Sequence, residues 1–301
     1  MRVLLALVLA ASAACAPPSG RVSPAAPPAA GRATGQGTLF VVGGGPQPES
    51  LVRRFVELAG GPRARIVVMA MASAGGQRSG EEKAAQLRSM GAEARNLWFD
   101  KAVADEDSIV RAIGGATAIW LGGGDQSRLM AALRGSRSLA ELQRVWRSNG
   151  VMVGGTSAGA AVLSTPMITG DERRPGGARR DTAQSFITIE GDNVVTADGM
   201  ALLTDVIVDQ HFVRRRRHNR LISLVIERPP HLGAGIDEST ALLVHPDGTW
   251  SVEGVSVVVV YDARRAERRV TGQVLGAADV RMHVLTPGST FDPRPGEARL
   301  R

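Results

Sequence analysis

The segment of this 301-residue chain best suited to covalent chemistry is Gly155-Thr156-Ser157-Ala158-Gly159. A serine between spaced glycines, after an apolar run and before a helical pattern, fits a nucleophile elbow, in which a tight turn pushes the hydroxyl out from the end of a strand. A turn whose serine merely caps the next helix uses the same residues, but the strand–turn–helix context favours the nucleophile. A hydroxyl needs a base. Of the five histidines, His211 follows the apolar run Val206–Val208 through Asp209-Gln210, so it falls at a strand end on the same sheet edge as Ser157. His218 lies in a basic run and reads as solvated. His231 opens a loop after Pro229-Pro230, His245 precedes a hairpin turn, and His283 sits in a C-terminal strand. His211 is therefore the expected base. The backbone N–H groups of Gly123 and Gly124, in the triplet that ends the preceding strand, are expected to form an oxyanion hole with that of Ala158. No Gly-Lys-Ser/Thr follows the triplet, which argues against a phosphate loop. Between Ser157 and His211 the carboxylates available to orient the base are Asp171, Glu172, Asp181, Glu190, Asp192, Asp198, Asp205 and Asp209, and pattern alone does not choose among them.

The elements that must position these residues alternate. Thr38–Val42, Arg65–Ala70, Arg95–Phe99, Ala116–Leu121 and Val151–Val153 read as strands. Glu49–Leu58, Glu81–Met90, Asp105–Ile113, Ser127–Leu133, Leu139–Ser148 and a segment from Ala158 to Leu163 read as helices. Near-continuous apolar strands between helices specify an α/β fold, a mostly parallel sheet sandwiched by helices. Ligands bind such sheets at the carboxyl ends of the strands, where the Gly-rich loops lie. Further strands follow at Val206–Val208, Gly233–Ile236, Ala241–Val244 and Val255–Val260, with more in the C-terminal stretch.

Lys83 and Lys101 are the only lysines among 36 basic residues, so the net charge of +7 is carried by arginine. That bias reflects coding composition, and without a binding motif no nucleic-acid partner is expected. Residues 1–15 have the pattern of a signal peptide: Arg2, a short apolar run and small residues. Ser12-Ala13-Ala14-Cys15 resembles a bacterial lipobox, with Ser12 where leucine is usual, so Cys15 is either lipidated, anchoring the protein to a membrane, or incidental to ordinary cleavage near Ala14 or Ala16. Residues 16–37 form a Pro/Ala linker that cannot bury a core and reads as a flexible tether, and residues 38–301 form one domain. An exported location follows: periplasmic, outer-membrane lipoprotein or secreted. Cys15 is the only cysteine, so no internal disulfide is expected.

Several stretches in order are more specific than any one motif: Gly43-Gly44-Gly45, Ile119 to Ser127, Gly154 to Val162, Met167-Ile168, Asp209 to Phe212 followed by Arg215, Arg217, Arg220 and Leu221, and Gly235 to Ala241. Together they resemble the cyanophycinase-like branch of the S51 serine peptidases, which also holds the aspartyl dipeptidases. The resemblance implies a class I glutamine-amidotransferase-like sandwich with added C-terminal strands and a Ser–His–acid triad. Ser157 would be nucleophile, His211 base and Glu172 the acid, with Asp171 beside it and the loop Arg173 to Ile189 departing from the family pattern. It implies aspartate-rich peptide substrates: cyanophycin, a poly-aspartate with arginine on each side chain, cleaved to β-Asp-Arg dipeptides, or an aspartyl dipeptide. Gln126, Asp209 and Gln210 would hold substrate, and Arg215, Arg217 and Arg220 would bind its carboxylates, for which guanidinium forks are suited. Arg214 and Arg216 depart from the family pattern and read as a solvated basic face. Relatives are often dimers, so a homodimer is an expectation. No cofactor or metal is implied, and the histidines lack ligand spacing.

Two other classes compete. An α/β-hydrolase esterase shares the Gly-x-Ser-x-Gly turn but places its histidine near the chain end, whereas ninety residues follow His211. A non-catalytic surface binding module would have no need of Ser157, His211 and the glycine turns together.

Overall fold

The computed structural model describes residues 36–174, 177–180 and 185–301. The signal-like segment and all but the last two residues of the linker, like the candidate Asp181, lie outside the described residues. From the amino terminus the chain forms β1 (Leu39–Val42), α1 (Glu49–Leu58), β2 (Arg65–Met69), α2 (Gly76–Ser89), β3 (Glu93–Asn96), α3 (Asp107–Gly114), β4 (Ala118–Leu121), α4 (Gln126–Leu133), α5 (Arg137–Asn149), β5 (Met152–Thr156) and α6 (Ala158–Ala161). The helix ends follow local chemistry. The Asp125 carboxylate accepts the N–H groups of Ser127 and Arg128 to start α4, the Ser136 hydroxyl accepts that of Leu139 to start α5, and Gly150 ends α5 in the left-handed region.

The carboxyl-terminal half is richer in strands: β6 (Met167–Arg174), β7 (Gly177–Arg180), β8 (Val194–Ala197), β9 (Val206–Gln210), α7 (His218–Glu227), β10 (Leu232–Ile236), β11 (Thr240–Val244), β12 (Trp250–Gly254), β13 (Val258–Asp262), β14 (Glu267–Thr271), β15 (Val274–Ala278), β16 (Arg281–Leu285), β17 (Thr290–Asp292) and β18 (Glu297–Arg299). The main sheet has nine strands in the order β18-β17-β12-β11-β1-β5-β4-β2-β3. Strands β1 to β5 pair in parallel, as expected, and the added C-terminal strands continue the sheet antiparallel beyond β1.

Alternation along β1 sorts the core. Phe40 and Val42 face α1 and α2 with Phe55, Val68 and Trp120, while Leu39 and Val41 face the opposite layer with Leu142, Val145 and Trp146 of α5. That opposite layer also holds a second sheet, in the order β16-β13-β10-β9, whose inward residues Val208, Ala234 and Val260 join the same cluster.

The strand before His211 belongs to this second sheet, not to the one that carries Ser157. Strands β9 and β10 are parallel, with Gln210 opposite Ile236. The chain then crosses to the main sheet in three residues, 237–239, before β11 pairs with β1. The stretch expected as a loop, Arg173 to Ile189, contains the end of β6 and all of β7, which with β8 form a three-stranded antiparallel sheet. Among the described residues no helix is long and apolar enough to cross a membrane.

The face under α1 is sealed by aromatic edges: Phe55 meets Phe40 at 5.5 Å and Trp120 at 4.8 Å between ring centroids, both edge-on. Phe55 is fully buried. Phe55→Ala is expected to cost about 3–5 kcal/mol of stability, measured as a lower urea midpoint without a change in slope.

Candidate active site

Three strand ends meet at the site. After β5 the backbone turns sharply at Ser157, with φ 53° and ψ −113°, a region a non-glycine residue occupies only when its surroundings hold it there. The Ser157 N–H donates to the Val42 carbonyl at 3.1 Å, tying the turn to the end of β1. The flanking glycines permit the close approach: a Cβ on Gly155 would lie 2.2 Å from the Gly159 carbonyl oxygen. The helix beyond is a single turn, shorter than the pattern suggested, so the individual N–H groups matter here rather than a helix macrodipole.

His211 follows β9, also with a positive φ, 50°. Its N–H donates to the Gly43 carbonyl at 2.6 Å. The imidazole lies across Gly44, where a Cβ would sit 2.4 Å from Cε1 of the ring. Any side chain at Gly44, which itself has φ 102°, would displace the ring. Ser157 Oγ is 2.8 Å from His211 Nε2, and His211 Nδ1 is 2.6 Å from Glu238 Oε1. Hydroxyl, imidazole and carboxylate therefore form one hydrogen-bonded line. In such a line the carboxylate fixes Nδ1 as the protonated nitrogen and leaves Nε2 to accept the serine proton.

The carboxylate in this line is Glu238, not Glu172. Glu172 lies on β6, where its carboxylate accepts the Arg174 side chain at 2.7 Å and the Phe186 N–H at 2.8 Å. Asp171, its neighbour, is in contact with the Thr169 hydroxyl. Glu238 is reached because β9 and β10 are parallel, which brings the residues after Ile236 beside the residue after Gln210. Confining the candidates to the segment between Ser157 and His211 hid it, although Gly235 to Ala241 stood among the distinctive stretches. The strand-end rule that located His211 applies equally to Glu238.

The other expected site residues divide by depth. Gly123 adjoins Ser157, since a Cβ there would lie 3.4 Å from Ser157 Cβ, and Ala158 follows Ser157 directly. Gly124 instead backs onto the Ala72 carbonyl. Asp209 and Arg220 are fully buried and paired, with Arg220 Nε donating to Asp209 Oδ2 at 2.7 Å. Arg217 is buried beside them and donates to the Gln210 carbonyl at 2.7 Å. These three brace the His211 turn from beneath rather than present charges on its surface. Gln126 is also buried and donates to the carbonyls of Ile168 and Thr169, joining α4 to β6. Gln210 is buried next to His211, and its Oε1 has no partner among the described residues. Arg215 is exposed, as are Arg214 and Arg216. His218 is half-buried rather than solvated: Nδ1 lies 2.8 Å from the Tyr261 hydroxyl, and its ring packs on Phe212. Among the described residues no group of three or more His, Cys, Asp or Glu side chains is placed to share a metal ion.

Peptidase family S51 matches residues 39–251, more than half of the chain. The chain belongs to this family. It is a serine-type peptidase, and its chemistry is peptide hydrolysis. Among curated proteins it is 32% identical to a cyanophycinase of Synechococcus elongatus over 86% of this chain and 80% of the relative. A cyanophycinase of Trichormus variabilis is 32% identical over 84% of each chain. Among solved structures it superposes on a peptidase from an acI-B1 actinobacterium with a TM-score of 0.57 and 22% identity, covering 83% of this chain and 98% of the other. That likeness shows the shared α/β fold.

Burial is the strongest influence on His211 and lowers its pKa below the ordinary 6.5; the Glu238 hydrogen bond raises it, and the charges of Arg215 and Arg217 lower it again. The imidazole is therefore neutral at neutral pH, the state a general base requires. Activity should fall only as pH drops through this lowered pKa. Arg215→Ala removes a lowering charge, so the acid limb of the kcat/KM profile should move to higher pH. Glu238→Gln removes a raising partner and can fix the wrong tautomer. A limb moved to lower pH and a kcat reduced about 10⁴-fold are expected.

Proposed function

We propose that the chain hydrolyses aspartyl peptide bonds, with cyanophycin as substrate and β-Asp-Arg dipeptides as product, through an acyl-enzyme on Ser157. The observation that carries this reading is the line Ser157–His211–Glu238 in a member of a family whose curated relatives here are named cyanophycinases. His211 Nε2 takes the Ser157 proton as Oγ attacks the scissile carbonyl. The N–H groups of Gly123 and Ala158 face the developing oxyanion. The imidazolium, steadied by Glu238, returns the proton to the leaving amine as the C–N bond breaks. Water then attacks the ester with His211 again as base, releasing the acid and restoring Ser157. Arg215 is one of three exposed cations of the turn, beside Arg214 and Arg216, and suits a carboxylate of the substrate; Asp209, Arg217 and Arg220 act by holding that turn in place.

Export is part of the proposal. It is supported by the signal-like residues 1–15 and suits polymer released by other cells, because a granule does not cross an envelope. Cell fractionation of the full chain, with Cys15→Ala beside it, reads location and anchoring.

The test of the function is direct. Purified protein incubated with insoluble cyanophycin should release soluble β-Asp-Arg, and Ser157→Ala should release none while folding normally. Cleavage of short aspartyl peptides without any attack on the polymer would reassign the substrate to dipeptides. Hydrolysis of p-nitrophenyl esters alone would overturn the peptidase reading.

A further inference from the structure

The turn after His211 is held by a carboxylate that is not part of the Ser157–His211–Glu238 line. The N–H groups of Val213 and Arg214 converge on one oxygen, Asp237 Oδ1, at 3.1 and 2.9 Å. The other oxygen accepts the Ser256 hydroxyl at 2.8 Å. Asp237 is buried, and its own N–H donates to the Val257 carbonyl at 3.2 Å. Hydrogen bonds from backbone N–H groups to an ionised carboxylate are among the stronger ones, and burial keeps water from replacing them.

What these bonds hold matters for the chemistry. His211 and Arg216 both have positive φ, 50° and 55°, so the turn contains two residues in a conformation they leave unless constrained. Within it the Arg215 N–H donates to the His211 carbonyl at 2.8 Å, so the backbones of His211 and Arg215 are tied within one turn. Glu238 acts on the imidazole, through its hydrogen bond to Nδ1. Asp237 grips the backbone between His211 and Arg215 and controls where both point.

We propose that Asp237 is a positioning residue of the peptidase: its carboxylate, pinned by Ser256, fixes the backbone turn that aims His211 at Ser157 and places Arg215 at the substrate. The proposal rests on the reading of Ser157, His211 and Glu238 as a triad. It separates Asp237 from a brace that serves stability alone. A brace would lower Tm and leave the folded protein's rates untouched, whereas a positioning residue changes kcat through His211 and KM through Arg215 together.

The experiment uses the full chain and two readouts: the rate of fluorophosphonate labelling at Ser157, which needs no peptide substrate, and kcat and KM on peptide, each corrected for the folded fraction. In folded Asp237→Ala, labelling should slow about 10- to 100-fold, the scale of a misaligned catalytic group, with kcat lower and KM higher. Asp237→Asn keeps one oxygen for the two N–H groups and offers an N–H to Ser256, so it should label near the native rate. Native labelling in Asp237→Ala, or an Asn variant as slow as the Ala variant, would overturn the proposal. Should Asp237→Ala fail to fold, Ser256→Ala carries the test: slower labelling supports the proposal, and a native rate overturns it. Absence of labelling in the native protein would defeat the triad reading, and this proposal with it.

Discussion

The passage from the second sheet to the main one takes three residues, 237–239, and much of the site depends on that short reach. Three extended residues span about 10 Å, close to the spacing of two sheets packed face to face. No slack remains for the sheets to slide. The end of β10 is fixed beside the end of β9 by parallel pairing, and the start of β11 is fixed beside β1. The crossing therefore runs alongside His211 and the loop after β1. The Ser239 N–H and hydroxyl bind the Gly44 and Pro46 carbonyls there, and Gly45 lies against Glu238. Two sheets are thereby joined at the place where Ser157 from one meets His211 from the other.

Strain is concentrated at the same place. Ser157 and His211 both have positive φ, at a cost of about 1–3 kcal/mol each. Hydrogen bonds to Val42 and Gly43 hold them from the β1 side. The buried pair of Asp209 and Arg220 holds the second sheet's side. Buried ion pairs of this kind add little net stability, but removing one partner leaves an uncompensated charge, so the pair specifies geometry more than it strengthens the fold.

Much of this was legible in the sequence because it depends on local pattern. The alternation of apolar strands and helices announced the parallel sheet, and the strand–turn–helix context of Ser157 placed it at a carboxyl edge. The match to family S51, residues 39–251, spans the distinctive stretches. What was not legible depends on pairing between distant strands. Nothing local to Val206–Gln210 says that it belongs to a second sheet, and nothing local to Glu238 says that β10 lies parallel to β9. Glu172 was an error of the same origin, a choice by chain order where the answer was set by spatial register. The depth of Arg217 and Arg220 was also hidden, since a basic run reads the same whether its guanidinium groups lie in water or on a buried aspartate.

Ser256 and Tyr261, which hold Asp237 and His218, lie beyond residue 251, where the family match ends. The contacts of the site therefore extend past the family's boundary. Trimmed there, the chain would lose β13 and most of β12, leaving β10 and β11 each with an unpaired flank made of residues now wholly buried. Flat apolar strand edges of that kind recruit other chains. The last fifty residues thus cover the edges of β10 and β11, and shortening the chain there would be met first as aggregation.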